Sequence, residues 1–237
     1  MRFLILSDIH SNWDALDAVL NNAEGKYDVV LNCGDLVGYG PEPNRVVDWC
    51  RATNVGVVRG NHDKAAVGLA DLEWFNPVAK EAALWTSEIL TEENRLYLAT
   101  LPVGPVTIQD FTIQHGSPDD EDEYLIQPAD LLGLNPAHTL SFFGHTHVQG
   151  GFYIHRNGIG YLSDHTVFIE ETSAYLVNPG SVGQPRDHDP RAAFALYDSE
   201  TRLVQYERTE YDVSATARKI VDAGLPEALG LRLFRGA

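Results

Sequence analysis

The chain has 237 residues, 44% of them hydrophobic, enough for one buried core without disulfides or structural metal. Thirty-four acidic against 17 basic residues leave a formal charge of −17, which repels a polyanion and argues against a nucleic-acid duplex as partner. Two cysteines, Cys33 and Cys50, cannot make a disulfide framework, and no apolar run approaches the ~18 residues of a membrane span. The apolar stretch at the N-terminus is short and meets Asp8 at once, so it does not read as a signal peptide. The expectation is a cytoplasmic protein with no membrane partner.

In chain order, Phe3 to Leu6 is a short apolar strand and Asn12 to Asn21 a helix. Val29 to Leu31 is a second strand. A helix opened by Pro41 and Pro43 runs through Val46, Val47, Trp49 and Cys50, and Val55 to Val58 forms a third strand. Short apolar strands separated by helices predict a parallel sheet covered on both faces. Residues 64–100 read as helical, with an apolar face through Phe75, Val78, Ala82 and Trp85 and a new helix start at Thr91. Trp13, Trp49, Trp74 and Trp85 read as packing residues.

From residue 103 the pattern changes to strands. Val106 to Ile108 and Phe111 to Gln114 form a hairpin across Gln109-Asp110. Further strands are expected at 139–143, 151–154, 167–169, 174–177, 193–197 and 203–207, and a helix at 214–223 closes the chain. No repeat or linker interrupts this order, so residues 1–237 read as a single domain with two sheets layered between helices. The helical segment 64–100 is either a cap over a site or an outer layer.

The chemistry lies at the strand ends. Asp8-Ile9-His10 follows the first strand, Gly34-Asp35 the second and Gly60-Asn61-His62-Asp63 the third. His115-Gly116 and Gly144-His145-Thr146-His147 end two later strands. A lone Asp-x-His is common by chance, whereas the Gly-Asn-His-Asp and Gly-His-Thr-His strings are rare. In open α/β sheets the carboxyl ends of strands are where ligands bind. Two carboxylates, an amide oxygen and several imidazoles meeting there suit Mn, Fe, Zn, Co or Ni. His138, His155, His165 and His188 fall outside these strings and read as ordinary surface or hydrogen-bonded imidazoles.

The ordered blocks D-x-H, GD, GNHD, H and GHTH resemble the calcineurin-like metallophosphoesterases. Gly38-Tyr39-Gly40-Pro41, His115-Gly116-Ser117-Pro118 and Asn178-Pro179-Gly180-Ser181-Val182-Gly183 resemble the bacterial and archaeal branch of small phosphodiesterase-like members. The resemblance implies a four-layer α/β/β/α sandwich, with two central mixed sheets and helices outside. It implies a dinuclear centre of two divalent transition-metal ions: Asp8, His10 and His147 on one ion, Asn61, His115 and His145 on the other, and Asp35 shared. It implies hydrolysis of a small phosphoester, foremost a phosphodiester, by a hydroxide bridging the metals, with His62 orienting the phosphate or protonating the leaving oxygen.

Two departures bear on substrate. Protein Ser/Thr phosphatases carry Asp and then Arg-Gly where this chain has Gly38-Tyr39-Gly40, so a protein phosphatase is disfavoured and His62 has no acid at the usual place. Small-esterase relatives often carry a basic residue where this chain has Asp119, the start of an acidic run to Glu123. A phosphomonoesterase or nucleotide pyrophosphohydrolase with the same core, and a non-catalytic protein-binding scaffold, are the alternatives. Asn178 to Gly183 reads either as a plain turn or as backbone N–H groups approaching a phosphate, with Arg186 as a candidate phosphate contact.

Overall fold

The first strand, β1 (Arg2–Leu6), shows how the layers arise. Phe3 and Ile5 point into one apolar cluster, and Leu4 and Leu6 into another on the opposite face, as the two-residue period of a strand dictates. β1 pairs in parallel with β2 (Val29–Asn32), and β2 with β3 (Gly56–Val57). The computed structural model describes residues 1–162 and 164–237.

β1 also pairs antiparallel with β11 (Ala192–Asp198), which leads through β12 (Leu203–Thr209) to β9 (Thr166–Phe168). The first sheet is therefore mixed, in the order β3-β2-β1-β11-β12-β9. The second has the order β4-β5-β6-β10-β7-β8, with β4 (Val106–Ile108), β5 (Phe111–Ile113), β6 (Leu140–Phe142), β10 (Ser173–Asn178), β7 (Gly150–His155) and β8 (Gly158–Tyr161). Here β5, β6 and β10 run parallel and the outer pairings are antiparallel. The β4–β5 pair is the hairpin expected across Gln109-Asp110.

The sheets face each other across a cluster that includes Phe3, Ile5, Phe111, Phe142, Val177 and Tyr197. Phe111 contacts Phe3, Phe142 and Tyr197 edge to face, with ring centroids 5.1, 5.6 and 5.3 Å apart, the geometry that aromatic quadrupoles favour. The outer face of the first sheet is covered by α1 (Trp13–Asn22) and α2 (Pro43–Thr53), which bury Leu16, Val19, Val46 and Val47 against Leu4 and Leu6. Asn12 caps α1, its Oδ1 accepting from Ala15 N at 3.1 Å.

The result is the α/β/β/α sandwich, with an uneven pair of outer layers. The outer face of the second sheet carries Phe143, Phe152 and Leu176, and these pack against Leu125, Leu131 and Leu134, around a single 3₁₀ turn at Pro128–Leu131. The fourth layer is thin there.

The helical stretch after β3 comprises α3 (Asn61–Ala66), α4 (Pro77–Ile89) and α5 (Glu92–Ala99). Thr91 is the α5 cap, accepting from Asn94 N at 3.3 Å. Two elements differ from the sequence expectation. The chain does not close at the expected C-terminal helix α6 (Val213–Asp222): a further helix, α7 (Glu227–Leu233), follows it. Gly230 gives α7 a poor helical signal, yet it sits where α7 crosses α6, a Cβ there lying 3.2 Å from Ala217. β8 was also not expected, because Gly158-Ile159-Gly160-Tyr161 has no continuous apolar run. Both cysteines are buried free thiols. No helix among the described residues is long and apolar enough to cross a membrane.

Candidate metal centre

Every block singled out in the sequence reaches one place. The loops after β1, β2, β5 and β6 carry Asp8 and His10, Asp35, His115, and His145 and His147 respectively, and Asn61 and His62 open α3 just past β3. Asp8, His10, Asp35, His115, His145 and His147 are all buried. Ligand atoms of Asp8, His10, Asp35 and His147 lie within 4.8 Å of one another, as do those of Asp35, His115 and His145. Asp35 belongs to both groups. Its Oδ2 lies 3.6 Å from His10 Nε2 and 3.5 Å from His115 Nε2. Asn61 joins the second group, with Oδ1 3.1 Å from His115 Nε2.

The backbone is bent hard to achieve this. Asp8, His10, Asp35, His145 and His147 all have φ between 49° and 68°. Non-glycine residues rarely occupy that left-handed region, at a cost of about 1 kcal/mol or more each. Side chains that would otherwise follow the strand direction are turned inward by it.

Four backbone carbonyls fix the imidazoles. His10 Nδ1 donates to Val37 O (3.0 Å), His115 Nδ1 to Cys33 O (2.8 Å) and His147 Nδ1 to Gln184 O (2.6 Å). His145 donates the other way round, from Nε2 to Asp122 O at 3.1 Å. A carbonyl only accepts, so each neutral ring has its proton on the bonded nitrogen and a bare lone pair on the other. Those lone pairs face the centre: Nε2 of His10 and Nε2 of His147 are 3.1 Å apart. Two lone pairs at that distance repel unless a cation or a proton lies between them.

The carboxylates make the same demand. Asp8 Oδ2 and Asp35 Oδ2 are buried without a hydrogen-bond partner, an expensive condition for a charge. Burial, seconded by Asp35, lifts Asp8 to about 7 despite the opposing effect of His115. For Asp35, burial also acts upward, but His115, His62 and His10 outweigh it and hold the carboxyl well below its usual range. His115 is the counterpart: burial lowers it, the Asp35 charge more than compensates, and it rises to about 10. Asp35 therefore requires positive charge at its side. A divalent ion held here would supply that charge in place of the His115 proton. The donor set, imidazole nitrogens with carboxylate and amide oxygens, fits transition-metal ions.

His62 lies beside this centre. Burial depresses its imidazole to about 4, against the opposing pull of Asp35, so the ring is neutral at pH 7. It is held by packing: Tyr39 at 4.3 Å, His10 at 4.9 Å and Phe75 at 5.2 Å between centroids. Its Nδ1 has no partner. Gly38 explains this, since its φ is +91° and a Cβ there would stand 2.6 Å from His62 Nδ1. The missing orienting acid is thus replaced by an aromatic sandwich over a glycine.

The centre opens into a cavity of about 700 Å³, lined by His62, His145 and Arg186 and also by Leu69, Trp74 and Phe75. The 64–100 segment therefore contributes a wall of the cavity. Trp74, expected to pack, is 89% exposed at this rim. Arg186 is held by the Tyr39 hydroxyl (3.5 Å) and Gln184 Oε1 (3.3 Å). Lys64, also in the lining, is bound to Glu121 (3.0 Å) and Asp122 (2.6 Å). The acidic run at 119–123 is thus partly spent on Lys64 and on Arg59, which Glu121 binds at 2.7 Å.

Three N–H groups of Asn178 to Gly183 are already bonded: Gly180 to Asn178 Oδ1, Val182 to Ser7 O and Gly183 to Asp8 O. The segment ties two ligand loops together, with Ser181 Oγ donating to Asp8 O at 2.8 Å and Asn178 Nδ2 to Gly144 O at 2.9 Å. Two other residues escaped the sequence reading. Asp63 accepts from the N–H groups of Asp35 and Gly60 (2.9 Å each) and of Val37 (3.2 Å), and so shapes the Asp35 loop. Tyr124 stacks on His145 with centroids 3.7 Å apart. The Gly-Asn-His-Asp string contained the signal for Asp63; nothing local marked Tyr124.

Such a chain is a two-sheet α/β protein whose strand-end loops close on two adjoining buried carboxylate–imidazole groups able to hold metal ions. The model of the calcineurin-like phosphoesterase superfamily domain matches residues 1–202. The chain belongs to the calcineurin-like phosphoesterase superfamily. It is 38% identical to a metallophosphoesterase from Sphaerobacter thermophilus, whose crystal structure it matches with a TM-score of 0.85 over 100% of this chain and 99% of that one. It is 37% identical to an uncharacterised protein of Methanocaldococcus jannaschii, over 98% of this chain and 97% of that one. The crystal structure of a hypothetical protein from Pyrococcus horikoshii shares the fold, with a TM-score of 0.80 at 22% identity over 100% and 98% of the two chains.

Proposed function

We propose that the protein is a dinuclear metal-dependent hydrolase of small phosphoesters, with phosphodiesters as its preferred class. Asp8, His10 and His147 hold one ion, Asn61, His115 and His145 the other, and Asp35 serves both. Two ions so held would supply Lewis acidity toward the phosphoryl oxygens and a water acidic enough to attack at neutral pH. The residues around them do the rest. His62, neutral and caged by Tyr39 and Phe75, donates a hydrogen bond to a phosphoryl oxygen and orients the ester for in-line attack. Arg186, held at Tyr39, supplies a fixed positive charge in the cavity lining.

The preference for diesters rests on one observation: of the two cations lining the cavity, Lys64 is neutralised by Glu121 and Asp122, which leaves Arg186. One guanidinium matches the single negative charge of a diester better than the two of a monoester. The apolar wall of Leu69, Trp74 and Phe75 gives the second ester group a surface to lie on.

The test is to strip the protein with chelator, restore Mn²⁺, and compare an aryl phosphodiester with the matching monoester. Metal-dependent cleavage of the diester, faster than the monoester and lost in Asp35→Asn, is the expected result. The substitution should lower turnover by about 10³-fold or more, roughly 4 kcal/mol of barrier. Near-normal rates in that variant with its metals verified, or a faster monoester, would overturn the reading.

A further inference from the structure

A second cavity, of about 370 Å³, opens on the outer face of the second sheet where the fourth layer is thin. It shares two walls with the first: Tyr124 and Arg186 line both. Phe143 and Phe152 form its buried floor, stacked with centroids 6.3 Å apart. Leu125, Ile126, Val148 and Tyr161 also line it. Ile126 and Tyr161 are more than half exposed, so these apolar groups face solvent rather than a covering element.

Several polar groups in this slot are already committed. Gln149 Nε2 lies within hydrogen-bond distance of Pro179 O, Phe194 O and Glu207 O, which take up both its protons, and its Oε1 accepts from Arg208 Nε. Asn178 is engaged with Gly144, Thr146 and Gly180. Gly150 O accepts from the Tyr206 hydroxyl and Gly151 O from Leu162 N. The slot thus offers burial and dispersion and has few hydrogen bonds to give. Its volume lies at the low end of small-ligand sites, too small for a helix of a partner protein, whose diameter alone is about 10 Å. Arg186 stands at the junction, with Nε buried and unpartnered.

We infer that the slot is the second half of the substrate site: it takes an apolar alkyl or aryl arm of a phosphoester whose phosphoryl group lies at the metal centre, with Arg186 at the bend between them. This deepens the proposed function and rests on it for the position of the phosphoryl group.

The test uses non-hydrolysable phosphonates and the metal-loaded protein. Methyl-, butyl-, hexyl- and phenylphosphonate are titrated calorimetrically into the wild type and into Ile126→Asp and Tyr161→Asp. Affinity should rise about two- to fourfold per added methylene, up to the fourfold that full burial of a CH₂ gives. Each variant should flatten the series and leave methylphosphonate unchanged. A gain for either hexyl or phenyl over methyl supports the slot, and their order tells whether the arm is aliphatic or aromatic. Equal affinities across the wild-type series, or a slope untouched by both variants, would overturn it. Hydrolysis of methyl p-nitrophenyl phosphate is followed separately. Graded binding without hydrolysis would overturn the hydrolase reading and leave the slot standing; hydrolysis with flat binding would do the reverse.

Discussion

Asp63 shows how much of the site is made by groups that touch no ligand. Its carboxylate gathers the N–H groups of Asp35, Val37 and Gly60, and so holds Asp35 in its left-handed turn. Asp63→Ala leaves three buried N–H donors without their acceptor. The expected loss is about 2–4 kcal/mol in urea unfolding and roughly 10–100-fold in metal affinity, read by equilibrium dialysis. Gly38→Ala tests the cage around His62. The added methyl group meets His62 Nδ1 at a φ that L-residues avoid, so turnover should fall at least tenfold while both metals still bind. A variant that kept its rate would show that the position of His62 does not matter. The seven ligand candidates were legible because each string ends a strand and mixes glycine with hard donors. Tyr39 and Tyr124 were not, because their roles come from tertiary approach, and Trp74 was misread because an exposed aromatic and a packed one look alike in sequence.

At the scale of elements, the strand order explains why five separate blocks converge. β1, β2 and β3 run parallel in one sheet, and β5 and β6 run parallel in the other, so their carboxyl ends meet along one edge of the sandwich. That much could be read from apolar runs and turn residues. The element boundaries that mislead are those where tertiary packing overrides propensity, as in β8 and in α7 around Gly230. Asn178, at the end of β10, binds Gly144 O and Thr146 Oγ1, so Asn178→Ala should loosen the His145–His147 loop and cost about 1–3 kcal/mol. The loop before β11 carries a pH-dependent contribution. Hydrogen bonds from Arg191 hold Asp189 at about 2, below its unfolded value near 3.9. The stabilisation is therefore complete above about pH 4 and is lost as pH falls toward 2. Arg191 is half exposed, which limits the contribution to about 1 kcal/mol. Denaturation of Asp189→Asn should show that deficit at pH 7 and a shrinking one below pH 4.

At the scale of the whole molecule, the interior is an aromatic and aliphatic wedge between two sheets, opened at one edge by a cluster of buried carboxylates and imidazoles. The cluster opposes folding without cations, and the sandwich supplies the energy to hold it. Metal should therefore raise thermal stability strongly. Free ion at one hundred times its dissociation constant adds about 2.7 kcal/mol per site. For a chain of this length one such site corresponds to roughly 5–11 °C in Tm. Scanning calorimetry before and after chelation measures the shift directly. An unchanged Tm would show that no ion binds the native state preferentially.

The tie between Ser181 and Asp8 spans 173 residues, and His147 meets His10 across 137. During synthesis at about 5–20 residues per second, roughly 10–35 s separate the emergence of Asp8 from that of Ser181. For most of that interval, until His147 follows, Asp8 and His10 have left the ribosome and lack the residue that completes their group. The growing chain has no tight metal site to load, and the first three strands have their neighbour β11 still to come. Both groups are completed only at His145 and His147, so an entering cation would meet a nearly finished cradle and not an early, promiscuous pair of side chains.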